Sequence, residues 1–435
     1  MHTVRSKYIK IEKPRISKNR TVFSKISCSR NIEKYFLQKA FFAQYDCDIQ
    51  EVSSSILQIP VFSNIITIAW AVGADVYIGE LDESYLRSLD KIKAVMKGWY
   101  PKLSFSTDIH VEKTVSSKFS SKRYGLLFSG GIDSTTSYIV HEKQRPNLVM
   151  VWGADIPLGE EEFWRRVRNK YIDFAKREKV EINFIKTNLH EFVNEGVLDV
   201  DFGRYLTGSW WGSIHHGLAI LGLCAPLSIA RQIGTLFIAS STGMYPKIFP
   251  WGSHWLIDNE LSWADVKVEH DVLMRRQEKV ASILKNYIET KAHYPFLRVC
   301  YSQFHDFNCG RCEKCSRSIA SLILENIDAD KCGFNVDDRF FDSLKKDLIE
   351  NRLISIDNTG IWRDIQEHIP ETIDFNLHNS KEFFNWLRDF NVVGRKGNGK
   401  FSLKWAFLFI FYKLPRSVRQ MVAKNRSIAR FFISL

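Results

Sequence analysis

The hexapeptide Ser129-Gly130-Gly131-Ile132-Asp133-Ser134 follows a short buried apolar run, Tyr124 to Ser129, and leads into a helical pattern opening near Asp133. A strand that turns on two glycines straight into a helix is the first half of a crossover to a parallel neighbour. The same alternation then repeats. Leu148 to Trp152 reads as a second buried strand, and Glu160 to Lys179 as a helix whose Phe163, Val167, Tyr171 and Phe174 share one face. Glu181 to Ile185 reads as a third strand, Trp211 to Arg231 as an apolar helix carrying Pro226, and Thr235 to Ser240 as a further strand. The pattern predicts an α/β fold, a parallel sheet with helices on its faces.

Around this unit the chain divides by composition. Residues 1–30 form a basic, Ser-rich segment read as an arm or an exposed edge, and 31–120 a small α+β accessory domain. The latter holds alternating apolar runs at Ile56 to Phe62, Asp75 to Ile78 and Ile109 to Val111, and a helix from Glu83 to Lys97. The strand–turn–helix domain spans 121–327 and includes a predicted helix from Val268 to Tyr287 and another from Glu313. A helical extension with a basic tail spans 328–435.

The glycine turn carries chemistry through its position. Free N–H groups and the positive end of the dipole at a helix N-terminus favour an anion, and glycines admit it close to the main chain. Ser129 and Ser134 add hydroxyl donors; Asp133 suits a helix cap or a ligand for Mg²⁺. No Gly-Lys-Ser/Thr follows and the third glycine of a dinucleotide fingerprint is missing, so neither of those motifs applies. The bland alternative is a glycine turn with an aspartate cap. The six residues resemble the SGGxDS pyrophosphate loop of the ATP pyrophosphatase superfamily, which implies cleavage of ATP between its α and β phosphates and adenylation of an acceptor. That resemblance assigns Ser129, Gly130, Gly131, Asp133 and Ser134 to ATP, with Asp133 and Ser134 as the catalytic pair, and makes the domain a Rossmann-like parallel sheet.

Cys300, Cys309, Cys312 and Cys315 are spaced C-x8-C-x2-C-x2-C, with Gly310 and Arg311 forming a tight knuckle. Four thiolates at this spacing suit a closed, structural tetrahedral Zn²⁺; an iron–sulfur cluster is the rival. Cys28, Cys47, Cys224 and Cys332 read as ordinary thiols. The loop and knuckle together resemble the bacterial 7-cyano-7-deazaguanine synthases, over about Tyr124 to Leu324. That family converts a carboxylate to a nitrile with ATP and ammonia. Here more than a hundred residues flank each motif, and Trp152-Gly153-Ala154-Asp155-Ile156-Pro157 does not align with the family's substrate-binding residues.

Further candidates sit past the predicted strand ends: Gly208 to Ser213 with His215 and His216, Ser240 to Gly243, and Trp251 to His254 with Asp258. Arg275, Arg276 and Lys279 share a helix and suit pyrophosphate, or a solvated face. No Gly-x-Ser-x-Gly is present, so no hydrolase triad is argued.

Charge is unevenly placed. The chain holds 61 Lys+Arg and 49 Asp+Glu, formally +12; residues 1–39 carry +9 and 391–435 carry +10, leaving −7 for the middle. The basic ends suit an anionic membrane surface, nucleic acid or an acidic protein partner. No uninterrupted apolar stretch reaches the ~18–20 residues of a spanning helix, and no secretory signal is evident, so the expectation is a cytoplasmic protein. A homo-oligomer is compatible with the sequence. The leading functional expectation is an ATP-dependent adenylating enzyme that prepares a carboxylate for a nitrogen nucleophile. Two alternatives are a ligase placing an activated small acid on a protein, and a nucleotide-fold module that binds nucleic acid without turnover.

Overall fold

The computed structural model describes residues 7–241, 243, 250–302, 304–354 and 358–392. In chain order the first half runs β1 (Tyr8–Ile11), β2 (Arg15–Ile16), β3 (Thr21–Cys28), β4 (Ala40–Tyr45), α1 (Ile59–Val72), β5 (Asp75–Asp82), α2 (Glu83–Trp99) and β6 (Ile109–Val115). Next come β7 (Arg123–Leu127), α3 (Ile132–Val140), β8 (Asn147–Trp152), α4 (Glu161–Glu178), β9 (Ile182–Thr187), α5 (His216–Ala230) and β10 (Ile233–Ala239). The last part holds β11 (Ser262–Trp263), β12 (Val266–Asp271), a helical run 276–291 (α6), α7 (Glu313–Leu324), α8 (Phe340–Ile349), α9 (Thr359–Glu367) and α10 (Ser380–Asp389).

The strands form one mixed sheet in the order β11-β12-β10-β7-β8-β9-β4-β3-β1-β5-β6, with β2 paired to β3. Its centre, β12-β10-β7-β8-β9, is entirely parallel. The chain moves outward from β7 to β8 and β9 on one side, then returns to lay β10 and β12 on the other. The switch point therefore lies between β7 and β10, and ligand crevices in such sheets open at the carboxyl ends of those strands. The α/β expectation holds.

Both faces are covered. On one side α3 and α4 bury Tyr138, Phe163, Tyr171 and Phe174 against Leu126, Phe128, Leu148 and Met150. On the other side α1 and α5 join a large core that also takes in β1, β3, β4 and β5. α1 is buried all round, and Gly222 of α5 lets it approach closely: a Cβ there would lie 2.0 Å from Ser63 Oγ. Helices α6 to α10 enclose a separate apolar core.

Four sequence expectations change. The basic segment 1–30 is no arm over its described part. Lys10 and Lys25 fall on the exposed alternate positions of strands whose Ile9, Ile11, Val22 and Ile26 are buried, and β1 lies inside the sheet between β3 and β5. Segment 31–120 likewise shares its sheet and core with the later part, because β4 pairs antiparallel with β9. The helix expected from Val268 starts later: Val266, Val268 and His270 are buried while Lys267 and Glu269 face solvent, a period of two that makes β12, and helix begins at Arg276. The apolar run 56–62 is helical rather than extended.

Among the described residues one helix, Trp211–Ala230, is long and apolar enough to cross a membrane, and it is mostly buried within the protein. The segment 393–435, including the basic tail, lies outside the described residues.

Candidate functional site: an anion pocket beside a cysteine cluster

The glycine turn sits at the switch point. Gly130 has φ +78°, and a Cβ there would fall 1.7 Å from Tyr171 Oη, which donates to the Gly130 carbonyl at 3.3 Å. Gly131 differs: its φ is −77° and an added Cβ would meet only ordinary contacts, 3.5 Å from Ser129 Oγ and 3.7 Å from the Arg298 carbonyl. Ser134 Oγ accepts from Ser129 N at 3.3 Å and donates to Gly131 O at 3.3 Å, fixing the loop on the first turn of α3. The leading N–H groups of α3 have no acceptor within the helix.

Asp133 is engaged by cations on both oxygens. Arg276 pairs with Oδ2, and Lys279 Nζ lies 3.2 Å from Oδ1 while also donating to the Ser240 carbonyl. Burial would raise the Asp133 pKa, but Arg276 and Lys279 outweigh it and hold the carboxyl well below the usual range. With both oxygens taken, Asp133 orders two cations at the switch point and does not stand as a free ligand for Mg²⁺. The turn at Lys279 is π-helical, and that residue is fully buried.

Ser129, Gly131, Asp133, Asp155, Arg276, Arg298, Tyr301, Lys314, Arg317 and Ser318 are among the walls of one cavity of about 100 Å³. Its charge is unbalanced. Arg276 and Arg317 have carboxylate partners, Asp133 and Glu313 (3.1 Å). Among the described residues Arg298 and Lys314 have none. Arg298 is only 5% exposed and its Nε has no hydrogen bond; Arg317 is 7% exposed and its Nε is likewise unpartnered. Burial, then the nearby Arg276 charge, lowers the Arg317 pKa to about 10. Buried guanidinium groups with spare donors and too few carboxylates want an anion. Asp155, beyond the end of β8, is exposed and lines the cavity. Burial favours its neutral form, but Lys314 and Arg298, then His216 and His190, prevail and lower its pKa.

The cysteine cluster forms the adjoining wall. Cys300, Cys309, Cys312 and Cys315 bring all four sulfurs within 4.8 Å of one another. Cys300 to Cys312 and Cys309 to Cys315 are each 3.9 Å apart. A single tetrahedral ion with Zn–S bonds of ~2.3 Å sets its sulfurs ~3.8 Å apart, so the set fits one ion such as Zn²⁺. An iron–sulfur cluster spreads its thiolates over several irons and needs more room. Gly310 at φ +73° turns the knuckle, and Arg311 N and Cys312 N donate to Cys309 Sγ at 3.4 and 3.2 Å. Such an ion would tie the strand-like segment carrying Arg298 and Cys300 to α7, whose first residues carry Lys314, Cys315 and Arg317. The knuckle thus sets the spacing of three cavity cations.

Other expected residues disperse. Arg275 turns away to Glu278, Asp364 and Glu367. Trp210 and His215 are fully buried. Ser253 and His270 both bind Asp258, at 2.6 and 2.8 Å, in a closed network. Trp211 is half-buried beside His190 and His216, with ring centroids 4.5 and 5.1 Å away. Sequence reading missed Asp155, Arg298, Lys314 and Arg317 as cavity residues; the one available signal was the proximity of the last three to the cysteines. Comparison with known proteins adds no identity: no family model, no curated protein and no solved structure matches this chain.

Proposed function

We propose that the cavity binds the phosphate chain of ATP and that the protein is an adenylating enzyme of the ATP pyrophosphatase type. The observation carrying this reading is Arg298, a buried guanidinium with no carboxylate partner among the described residues, which lines the same cavity as the two-glycine turn and whose main-chain N–H donates to the Gly130 carbonyl at 2.8 Å. In this reading the amides after Gly130 and the Ser129 hydroxyl hold the β and γ phosphates. Arg276, Arg298 and Arg317 stabilise the charge that grows on pyrophosphate as it leaves. A carboxylate oxygen of the acceptor attacks the α phosphorus in line, giving an acyl adenylate, and a nitrogen nucleophile then displaces AMP. Mg²⁺, if used, offsets phosphate charge; Asp155 is the cavity carboxylate that makes no ion pair among the described residues. The cysteine-bound ion shapes the pocket and takes no part in the chemistry.

Two measurements test the reading. Pyrophosphate and a non-hydrolysable ATP analogue should bind by calorimetry, with affinity lost in Arg298→Leu. Incubation with ATP and a small-acid fraction of cell extract should give AMP and pyrophosphate; formation of ADP and phosphate alone would refute the mechanism. The ligase alternative shows itself as mass added to a protein.

A further inference from the structure

Helices α3 and α4 cover their side of the sheet only over its parallel centre. The core beneath them takes in residues of β7, β8, β9 and β10 and, among the described residues, none of β4, β3, β1, β5 or β6. In those five strands Ile9, Val22, Ile26, Phe41, Ala43 and Val76 turn the other way, into the large core. The alternate positions are left exposed or half-buried. A solvated sheet face is ordinarily polar, yet this one mixes aromatic rings with lysines.

Strand register aligns them. Lys10 of β1 lies opposite Ser27 of β3 on one side and Tyr77 of β5 on the other, and Tyr77 lies opposite His110 of β6. The Tyr77 and His110 rings are stacked, their centroids 4.5 Å apart and their planes 13° from parallel. Lys25 and Phe23 share the exposed alternation of β3 with Ser27. Phe23 is 43% exposed and lies opposite half-buried Phe42 of β4, with ring centroids 6.2 Å apart. At the border with the covered centre, the exposed Arg168 of α4 places its guanidinium 4.8 Å from the centroid of the Phe184 ring in β9.

The charges on this face are free. Lys34 and Lys39 pair with Asp201 and Glu33, whereas Lys10 and Lys25 form no ion pair among the described residues. Glu12 and Glu112 are exposed as well, Glu112 beside Gly79, so the face is not uniformly cationic. A ligand recognised by charge alone has no use for the rings. A chain that offers phosphates and flat bases in turn uses both. From β6 to β4 the face crosses four strand spacings, ~19 Å at ~4.8 Å each, room for several bases.

We infer that this face binds single-stranded nucleic acid, with Phe23 and the Tyr77–His110 pair stacking bases and Lys10 and Lys25 contacting phosphates. A duplex keeps its base faces inside the stack and cannot offer them to the rings. The inference is independent of the adenylation reading. Rings and cations interleave here across strands rather than along the chain, which is why no basic–aromatic stripe is visible in the sequence.

Fluorescence anisotropy of the full-length protein with labelled single-stranded RNA and DNA of about 12 nucleotides, and with the matching duplex, tests this. We expect saturable binding of a single strand and weaker binding of the duplex. Phe23→Ala and His110→Ala should each weaken single-strand binding roughly 5- to 100-fold, the range for losing one base–aromatic stack, and leave heparin and pyrophosphate binding unchanged. Lys10→Gln and Lys25→Gln should each reduce the slope of log affinity against log salt by about 0.7. All four side chains are exposed, so the variants should melt like wild type; if Phe23→Ala does not fold, Phe23→Leu keeps apolar bulk and removes the ring. Tighter binding of RNA or of DNA supports the inference either way and tells which strand the face prefers. No binding of either strand, equal affinity for duplex and single strand, or full affinity in both ring variants would overturn it, the last by placing the binding on another surface. Loss of retention on phosphatidylserine vesicles in the ring variants, with oligonucleotide binding intact, would overturn it in favour of a membrane surface.

Discussion

At the scale of single residues, the two glycines of the turn look alike in the sequence and differ in the structure. Gly130 is required by both its positive φ and its contact with Tyr171, whereas Gly131 has room for a methyl group. Gly130→Ala should therefore lower the melting temperature, and Gly131→Ala should leave it nearly unchanged while weakening pyrophosphate binding, because its methyl projects beside Ser129 Oγ and the Arg298 carbonyl. Equal melting losses in both variants would contradict this. Arg298→Leu removes charge-assisted bonds worth ~1.5–3 kcal/mol, so pyrophosphate Kd should rise roughly 10- to 100-fold. Asp133 makes a pH prediction with a definite sign. Its folded pKa lies below the ordinary 3.8, so its contribution to stability is full above that value and drains away as pH falls through the depressed value. Asp133→Asn should flatten the acid limb of the stability profile below about pH 4 and cost about 3–5 kcal/mol near neutrality by leaving Arg276 and Lys279 with an uncharged partner. The turn was legible because its residues are contiguous. Arg298, Lys314 and Arg317 were not, since isolated basic residues acquire meaning only when the chain folds them around one cavity.

At the scale of elements, parallel strands and long amphipathic helices read correctly from periodicity, and the errors lie where period and burial conflict. Helix α1 is apolar on every side, so it offers no stripe to distinguish helix from strand. Strand β12 runs within a few residues of a helix, and its alternation of Val266, Val268 and His270 with Lys267 and Glu269 is short enough to be absorbed into the longer helical pattern that follows. The cysteine cluster shows the opposite case, where spacing alone anticipated the geometry, though not its consequence for the neighbouring pocket. Because the knuckle sets Arg298 against Lys314 and Arg317, metal removal should act on ligand binding as well as on stability. Chelation, or Cys315→Ser, should reduce bound zinc measured by atomic emission, lower the melting temperature, and weaken pyrophosphate binding together. A metal-free protein that bound pyrophosphate with unchanged affinity would show that the two sites are independent.

At the scale of the whole molecule, the formal +12 gives way to three separate electrostatic regions. The middle of the chain is −7 overall, yet it gathers Arg276, Arg298, Lys314 and Arg317 at one small cavity, so the proposed phosphate recognition rests on placement rather than bulk charge. The two basic ends, similar in composition, have different consequences. Deleting residues 1–30 removes β1, β2 and β3 and with them buried Ile9, Ile11, Val22 and Ile26. At ~1.5–3 kcal/mol for each fully buried aliphatic side chain, these four alone approach the ~5–15 kcal/mol by which a domain is stable, and the sheet is cut between β4 and β5. That truncation should give no cooperatively folded protein. Truncation after Gly394 removes ten basic and no acidic residues and leaves every described element intact. The shortened protein should keep its melting temperature and its pyrophosphate affinity, and lose salt-sensitive retention on vesicles containing phosphatidylserine, where each basic residue near the surface contributes about 1 kcal/mol. Salt sensitivity is the discriminating readout, since attraction to an anionic surface falls within a screening length of about 8–10 Å. If the truncated protein bound such vesicles as tightly as the full chain, the basic tail would not be the membrane-facing element; if it lost pyrophosphate binding, the tail would belong to the site.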